Sequence, residues 1–184
     1  TVEADKLGID EAFFGEHLTD KHEKISSSLM MISALSQITK RIRLGTLTTN
    51  LNFYNPSVLA GLIAMVDNLS KGRLILGIGS GANQTDLEAI DSLEKKNYEI
   101  MLECYEIIKE LLKKKDLINI SSKNFFISTT KSGNKKLGLG YFNSLYQNRD
   151  NLEVIMPVLS KGSYNVEICS KNCWSIAISN FCSQ

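Results

Sequence analysis

No run of this sequence approaches the ~18–20 consecutive apolar residues that a membrane-spanning helix needs. No basic segment followed by an apolar stretch marks a secretory leader. Excess charge is lacking as well: Lys and Arg total 21 against 20 Asp and Glu, a net of +1. That balance gives no electrostatic reason to expect nucleic acid or an anionic membrane as a partner. Metal ligands are scarce, with two histidines and four cysteines. Cys169 and Cys173 stand four apart, which on a helix puts them on one face. No CxxC pair exists and no histidine lies near them, so no metal site is expected. The cysteines read as reduced, partly buried thiols of a cytoplasmic protein. His22, with Asp20 and Glu23, fits no ligand spacing and reads as surface. Proline is also rare, at two residues.

What is present is an ordinary globular balance, 43% hydrophobic, enough for one domain with a core. Thr1–Leu7 reads as the tail of a helix stopped by Gly8. Glu11–Gly15 is a short strand. Ser26–Ser28 can cap a helix over Leu29–Thr39, where Leu29, Ile32, Leu35 and Ile38 recur at helical spacing. Arg41–Thr46 alternates as a second strand. Pro56 suits the first turn of a helix over Ser57–Leu69, which Gly72 closes. Arg73–Ile78 is an almost continuous apolar run, as in a strand buried on both faces. This alternation argues for parallel βα units, in a barrel or a doubly wound sheet. Gly79–Asn83 then reads as a loop. Lys95–Leu112 reads as a long amphipathic helix with Tyr98, Met101, Leu102, Tyr105, Ile108 and Leu112 on its apolar side. Residues 116–150 carry no clear pattern, and about 82–150 is expected to be an insertion. Leu152–Val158 and Trp174–Ser179 read as strands and Ser163–Ser170 as a helix.

Four segments carry candidate chemistry. Glu16 and His17 follow the first strand, and parallel barrels place active sites at strand C-terminal ends. A histidine there can move a proton near neutrality, with a carboxylate beside it. Thr46, Thr48 and Asn50 follow the second strand, where hydroxyls and an amide can bond an uncharged polar heterocycle. Threonines also suit a strand that simply continues. Gly77, Gly79 and Gly81 alternate after the third strand, with Ser80 between the last two, and let backbone approach a ligand. They do not complete a G-x-G-x-x-G loop, because residue 82 is Ala. Ser160, Lys161, Gly162 and Ser163 lie between a strand and an expected helix, which makes either a phosphate site or a simple cap.

Taken in order, four stretches resemble the luciferase-like monooxygenase family. They are Gly8-Ile9-Asp10-Glu11-Ala12-Phe13-Phe14-Gly15-Glu16-His17, the strand from Thr39 to Thr46, Asn55-Pro56-Ser57-Val58-Leu59-Ala60, and Asp67 through Gly81. The resemblance is strong over residues 1–112, fades through 116–150 and returns weakly around 153–179. It implies a TIM-type (β/α)8 barrel that binds reduced FMN and activates O2 through a flavin C4a-peroxide to oxygenate a small organic substrate. By the same resemblance His17 manages the proton, with Glu16 beside it. Thr46, Thr48 and Asn50 lie by the flavin ring, and a non-prolyl cis peptide is expected at Leu47–Thr48. Gly79, Ser80 and Gly81 also meet the cofactor. Ser80 stands where members carry an arginine near the flavin phosphate, which leaves the phosphate to Ser160, Gly162 and Ser163, with Lys161. Leu18 replaces a second histidine found in many members, which argues against an aldehyde substrate of the luciferase type.

The family's first strand and its last two βα units have no counterpart here. The expectation is therefore a single partial barrel domain over 1–184, a piece of a chain that begins at Thr1 rather than Met. A complete TIM barrel takes about 250 residues. A separate flavin reductase and a homodimer of the full-length protein are the partners the resemblance implies. The competing readings are a deazaflavin-dependent oxidoreductase of the same fold, a non-catalytic flavin-binding barrel subunit, and a doubly wound nucleotide-binding protein.

Overall fold

A computed structural model describes residues 1–113, 119–128, 152–155, 158–160 and 163–165. Helix α1 (Val2–Lys6) ends at Gly8, whose φ of +83° an L side chain rarely adopts. Strand β1 (Glu11–Phe14) follows. Helix α2 (Ser28–Ile38) starts where the Ser27 side chain accepts from the Met30 N–H, the expected N-cap. Strand β2 (Arg43–Thr46) and the two-residue β3 (Thr49–Asn50) are successive parts of one path. A 3-10 turn (Leu51–Phe53) leads to α3 (Pro56–Leu69), capped by Asn55 with Pro56 in its first turn. Strand β4 (Leu74–Gly79) is buried along its whole length.

The strands lie in the order β1-β2-β4, with β3 continuing alongside the end of β4 and β7 (Glu153–Ile155) on the far side of β4. Every one of these pairings is parallel. The lanes therefore step one way round in sequence order. A doubly wound sheet reverses at a switch point; this one shows no reversal among the described strands. Leu44, Leu74, Leu76, Ile78 and Val154 of the sheet share one core with Leu29 and Ile32 of α2 and Leu59, Ile63 and Ala64 of α3. The helices thus cover a single face, as on the outside of a barrel wall. Across the other face Arg43 bonds Glu11 at 2.9 Å and also pairs with Glu153.

Several expectations need correction. A short helix α4 (Gln84–Ala89), capped by Asn83, occupies a stretch that carried no assignment. Helix α5 (Asn97–Lys113) buries Met101, Cys104, Ile107, Ile108, Leu111 and Leu112. Tyr98 and Leu102, expected on its apolar side, are exposed. The small apolar thiol of Cys104 completes the 101-104-108-111 row, and that row turns inward against α3 and the 3-10 turn. The stretch 82–150 thus contributes core side chains from α5. An antiparallel pair, β5 (Asn119–Ser121) and β6 (Phe126–Ser128), follows it. The strand expected over Leu152–Val158 is two: β7, and β8 (Val158–Ser160), which pairs antiparallel with β9 (Ser163–Asn165). The helix expected from Ser163 therefore does not begin there. Val158 and Tyr164 are strand formers, and the pairing of β8 with β9 takes up Ser160 and Ser163 as strand residues. Trp174–Ser179 lies outside the described residues. Among the described residues no helix is long and apolar enough to cross a membrane.

Candidate active site

A cleft of about 260 Å³ opens at the C-terminal ends of β1, β3 and β4. Its floor is Gly15, Glu16 and His17 from β1, Leu47, Thr48 and Asn50 from β2–β3, and Gly79, Ser80 and Gly81 from β4. Asn83 and Asp86 of the α4 turn and Tyr98 and Met101 of α5 form the opposite wall. The volume is just below the ~300–1,000 Å³ typical of small-molecule sites, so it suits a ring system rather than a whole mononucleotide.

The strand ends are shaped by close approaches of backbone. A Cβ on Gly77 would fall 2.0 Å from the Thr46 carbonyl oxygen, and one on Gly79 would fall 2.2 Å from Thr48 Oγ1. Only glycine lets β4 run this near to the β2–β3 turn. The Leu47–Thr48 peptide between β2 and β3 is cis, as expected. Thr48 Oγ1 reaches Asn50 Oδ1 at 3.4 Å.

Thr46 is not part of the cleft wall. Its buried hydroxyl donates to the Gly77 carbonyl at 2.7 Å and accepts from the Gly77 N–H at 2.9 Å. It stands in for a ladder bond between β2 and β4, and Thr46 is fully buried, away from the cleft surface. Glu16 is likewise committed, although it lines the cleft. One carboxylate oxygen accepts from the Ser28 N–H (3.0 Å) and hydroxyl (2.7 Å), the other from the Asn50 N–H (2.9 Å). Burial pushes the Glu16 carboxyl above its ordinary range, and these bonds pull it back in part. Glu16 thereby joins the end of β1 to the start of α2 and to β3.

His17 is 38% exposed in its side chain and its Nδ1 stands 2.8 Å from Asp86 Oδ2, whose side chain is 2% exposed. The other Asp86 oxygen accepts from the Leu18 N–H (3.0 Å), the Thr19 N–H (2.8 Å) and the Thr19 hydroxyl (2.7 Å). Burial works to raise the Asp86 carboxyl; the bonds from Thr19 and His17 outweigh it, and the group sits below its ordinary value. Asp86, Tyr98 and Met101 line the cleft without having been expected there from the sequence. A signal for the first existed: Asn83 followed three residues later by Asp86 reads as a capped helix start with an acid in its first turn.

The site residues assigned from sequence divide accordingly. Glu16, His17, Thr48, Asn50, Gly79, Ser80 and Gly81 converge on the cleft. Ser160 and Ser163 are register partners in the β8–β9 hairpin; their side chains, and all of 161–162, lie outside the described residues. No lysine or arginine lines the cleft among the described residues. Its polar groups are the Glu16 and Asp86 carboxyls, both bonded within the protein, the His17 imidazole, the Asn50 and Asn83 amides, hydroxyls and backbone. The amides, hydroxyls and backbone fit an uncharged, planar, hydrogen-bonding heterocycle such as a flavin ring. The pairwise groups His17–Asp86 and Glu16–Ser28 do not make a metal cage, and among the described residues no cluster of three His, Cys, Asp or Glu could hold an ion.

Comparison with known proteins identifies the family and the fold. The family model described as luciferase-like monooxygenase matches residues 1–133. Limonene 1,2-monooxygenase of Rhodococcus erythropolis is 34% identical over 110 residues, covering 59% of this chain and 28% of that protein. An F420-dependent glucose-6-phosphate dehydrogenase of Amycolatopsis mediterranei is 33% identical over 118 residues, covering 60% and 35%. The chain thus spans about a third of the length of the curated relatives it matches. Among solved structures, the oxygenating constituent of 3,6-diketocamphane monooxygenase from Pseudomonas putida, in complex with FMN, superposes with a TM-score of 0.71. It is 22% identical, over 84% of this chain and 43% of that one. The likeness shows the fold, an α/β barrel of the TIM type.

Proposed function

The chain belongs to the luciferase-like monooxygenase family, and from that membership we propose that it forms the cofactor half of a flavin-dependent monooxygenase. In this reading the full-length protein uses reduced FMN and O2 to oxygenate a small organic substrate. One oxygen atom goes to the product and the other leaves as water, the flavin giving up two electrons. Bound reduced flavin would supply the oxygen-activating chemistry. What the chain supplies is position and a proton. Thr48, Asn50 and Ser80 hold the polar edge of the ring, and the backbone of Gly15, Gly79 and Gly81 lets it lie close. Met101 and Tyr98 of α5 would keep water from the opposite side. His17 is the group in the cleft that handles the proton. Glu16 keeps the β1 and β3 ends in register without touching the ligand.

The observation that carries the reading is the convergence of His17, Thr48, Asn50 and Gly79–Gly81, from three adjacent parallel strands, on one cleft. Anaerobic titration of the full-length protein with reduced FMN, followed by mixing with oxygen, tests it. Saturable binding and oxygen-dependent consumption of reduced flavin coupled to substrate are expected. Absence of reduced-flavin binding would sink it. A second reading, a deazaflavin-dependent oxidoreductase, is favoured by the F420-dependent relative at 33% identity. The same titration run with reduced deazaflavin separates the two. Replacement of His17 by Ala with oxygen-dependent turnover unchanged would remove the role given to that residue.

A separate flavin reductase is part of the proposal. The Pseudomonas putida protein is called an oxygenating constituent, a name that supports a second component to reduce the flavin. The need for reduced flavin supports a cytoplasmic setting. A homodimer is also proposed, on the outer surface of α3.

A further inference from the structure

Asp86 makes four hydrogen-bond contacts, all of them to residues 17–19 at the end of β1. An ionised carboxylate only accepts hydrogen bonds. Where one meets an imidazole nitrogen at 2.8 Å, that nitrogen must carry the proton. We propose that Asp86 is a positioning residue that fixes His17 as the Nδ1–H tautomer, so that Nε2 meets the cleft with a lone pair and His17 enters the reaction as a proton acceptor. This rests on the monooxygenase reading for its catalytic meaning, but the tautomer is a property of the protein alone.

The geometry makes the assignment specific. Three donors, from the Leu18 and Thr19 backbone and the Thr19 hydroxyl, converge on Asp86 Oδ1. They fix which oxygen faces the loop and leave only Oδ2 for His17. They also hold the stretch just after His17 against α4, so the ring is held by its own backbone as well as by its Nδ1. Burial excludes water from the carboxylate, and the lowered Asp86 carboxyl stays ionised at neutral pH. When Nε2 takes a proton, Nδ1–H still donates to the Asp86 carboxylate at 2.8 Å, so the ring keeps its orientation.

The same three donors decide what Asp86→Asn would do. They demand an acceptor at the Oδ1 position, so the amide carbonyl must sit there. The amide NH2 then faces His17 Nδ1, which has to become the acceptor. The substitution, nearly isosteric, therefore reverses the tautomer and puts a proton on Nε2.

The test is long-range proton–nitrogen NMR on the full-length protein labelled in histidine, with His17→Gln used to assign the signal. At a pH where the ring is neutral, wild type should show Nδ1 protonated and Nε2 bare, and Asp86→Asn the reverse. Oxygen-dependent turnover of Asp86→Asn should fall by roughly 100-fold or more, the scale of a lost acid–base group. Reduced-flavin affinity should change by less than about threefold, because the ring contacts are intact. A wild-type His17 protonated at Nε2 would overturn the proposal without any variant, and so would a reversed tautomer with unchanged turnover. If no flavin binds at all while the tautomer reverses, the monooxygenase reading fails and the positioning role stands. Should Asp86→Asn not fold, the wild-type spectrum still decides.

Discussion

Thr46 and Thr48 stand two positions apart at the end of the same strand, yet one is spent on the sheet and the other faces the cleft. The difference is made by Gly77, whose missing side chain brings its backbone within reach of the Thr46 hydroxyl. Gly77→Ala would drive a methyl group into the Thr46 carbonyl, an immovable backbone atom. It should cost about 3 kcal/mol, read as a lower denaturant midpoint with the slope unchanged. Arg73 is a second residue whose work is internal. It donates to the carbonyls of Ser36, Thr39, Ile42 and Ser70 and to the Thr39 hydroxyl, at 2.8–3.2 Å. These acceptors include carbonyls near the C-terminal ends of α2 and α3, which a cation complements. Lysine keeps the charge but not the planar fork. Arg73→Lys is expected to lose about 2 kcal/mol in the same denaturation measurement and to leave flavin binding alone, since it lies away from the cleft.

Between elements, two carboxylates act as latches. Asp5 of α1 accepts from the Lys40, Arg41 and Ile42 N–H groups at 2.7–2.9 Å and so anchors the entry to β2. Asp86 of α4 anchors the loop after β1. The backbone bond from Lys40 first, and those from Ile42 and Arg41, hold the Asp5 carboxyl below 3.8; the net shift of Asp86 is in the same direction. A carboxyl lowered in the folded state adds stability that is complete above its unfolded value and is lost as pH falls below that value through the folded one. Melting temperature should therefore hold steady down to about pH 4 and drop below it, and Asp5→Asn should flatten that drop. An unchanged acid limb in the variant would rule out the Asp5 latch.

Elements with strong local signals were legible in the sequence. The serines at 26–28 and Pro56 mark helix starts, Gly8 a helix end, and the run into β4 its burial. So was the part of the site that follows strands in sequence, His17, Thr48, Asn50 and the glycines. What stayed hidden depends on contacts between distant residues. His17 and Asp86 are 69 positions apart, and nothing local says that they meet. Helix α5 was found but turned wrongly, because its aromatic and leucine positions were ranked above Cys104, whose thiol burial pushes up to about 12. Ser163 misled in the other direction. A serine after glycine reads as a helix cap, yet its strand-forming neighbours pair it with Ser160.

At the scale of the whole molecule, the outer surface of α3 is an exposed apolar face among the described residues. Val58, Leu62, Met65 and Leu69 recur at spacings of four, three and four, and are 58%, 39%, 54% and 37% exposed. Met30 and Ile38 of the adjacent α2 are exposed as well. Across α2 and α3 the only charged residue is Asp67, and it is buried. In a chain with 22% charged residues, that makes an uncharged, apolar face. A two-fold axis sets such a face against its own copy, where a charged patch would repel itself, and apolar contact is gained with no like charges opposed. The full-length protein should therefore run as a dimer by light scattering. Leu62→Glu with Met65→Glu should give a monomer, since two like charges per subunit would meet at the axis, while the cleft, on the opposite side of the sheet's ends, keeps its affinity for reduced flavin. A double variant that remains dimeric would move the interface elsewhere, and a wild-type monomer would mean that this face is covered by other parts of its own chain.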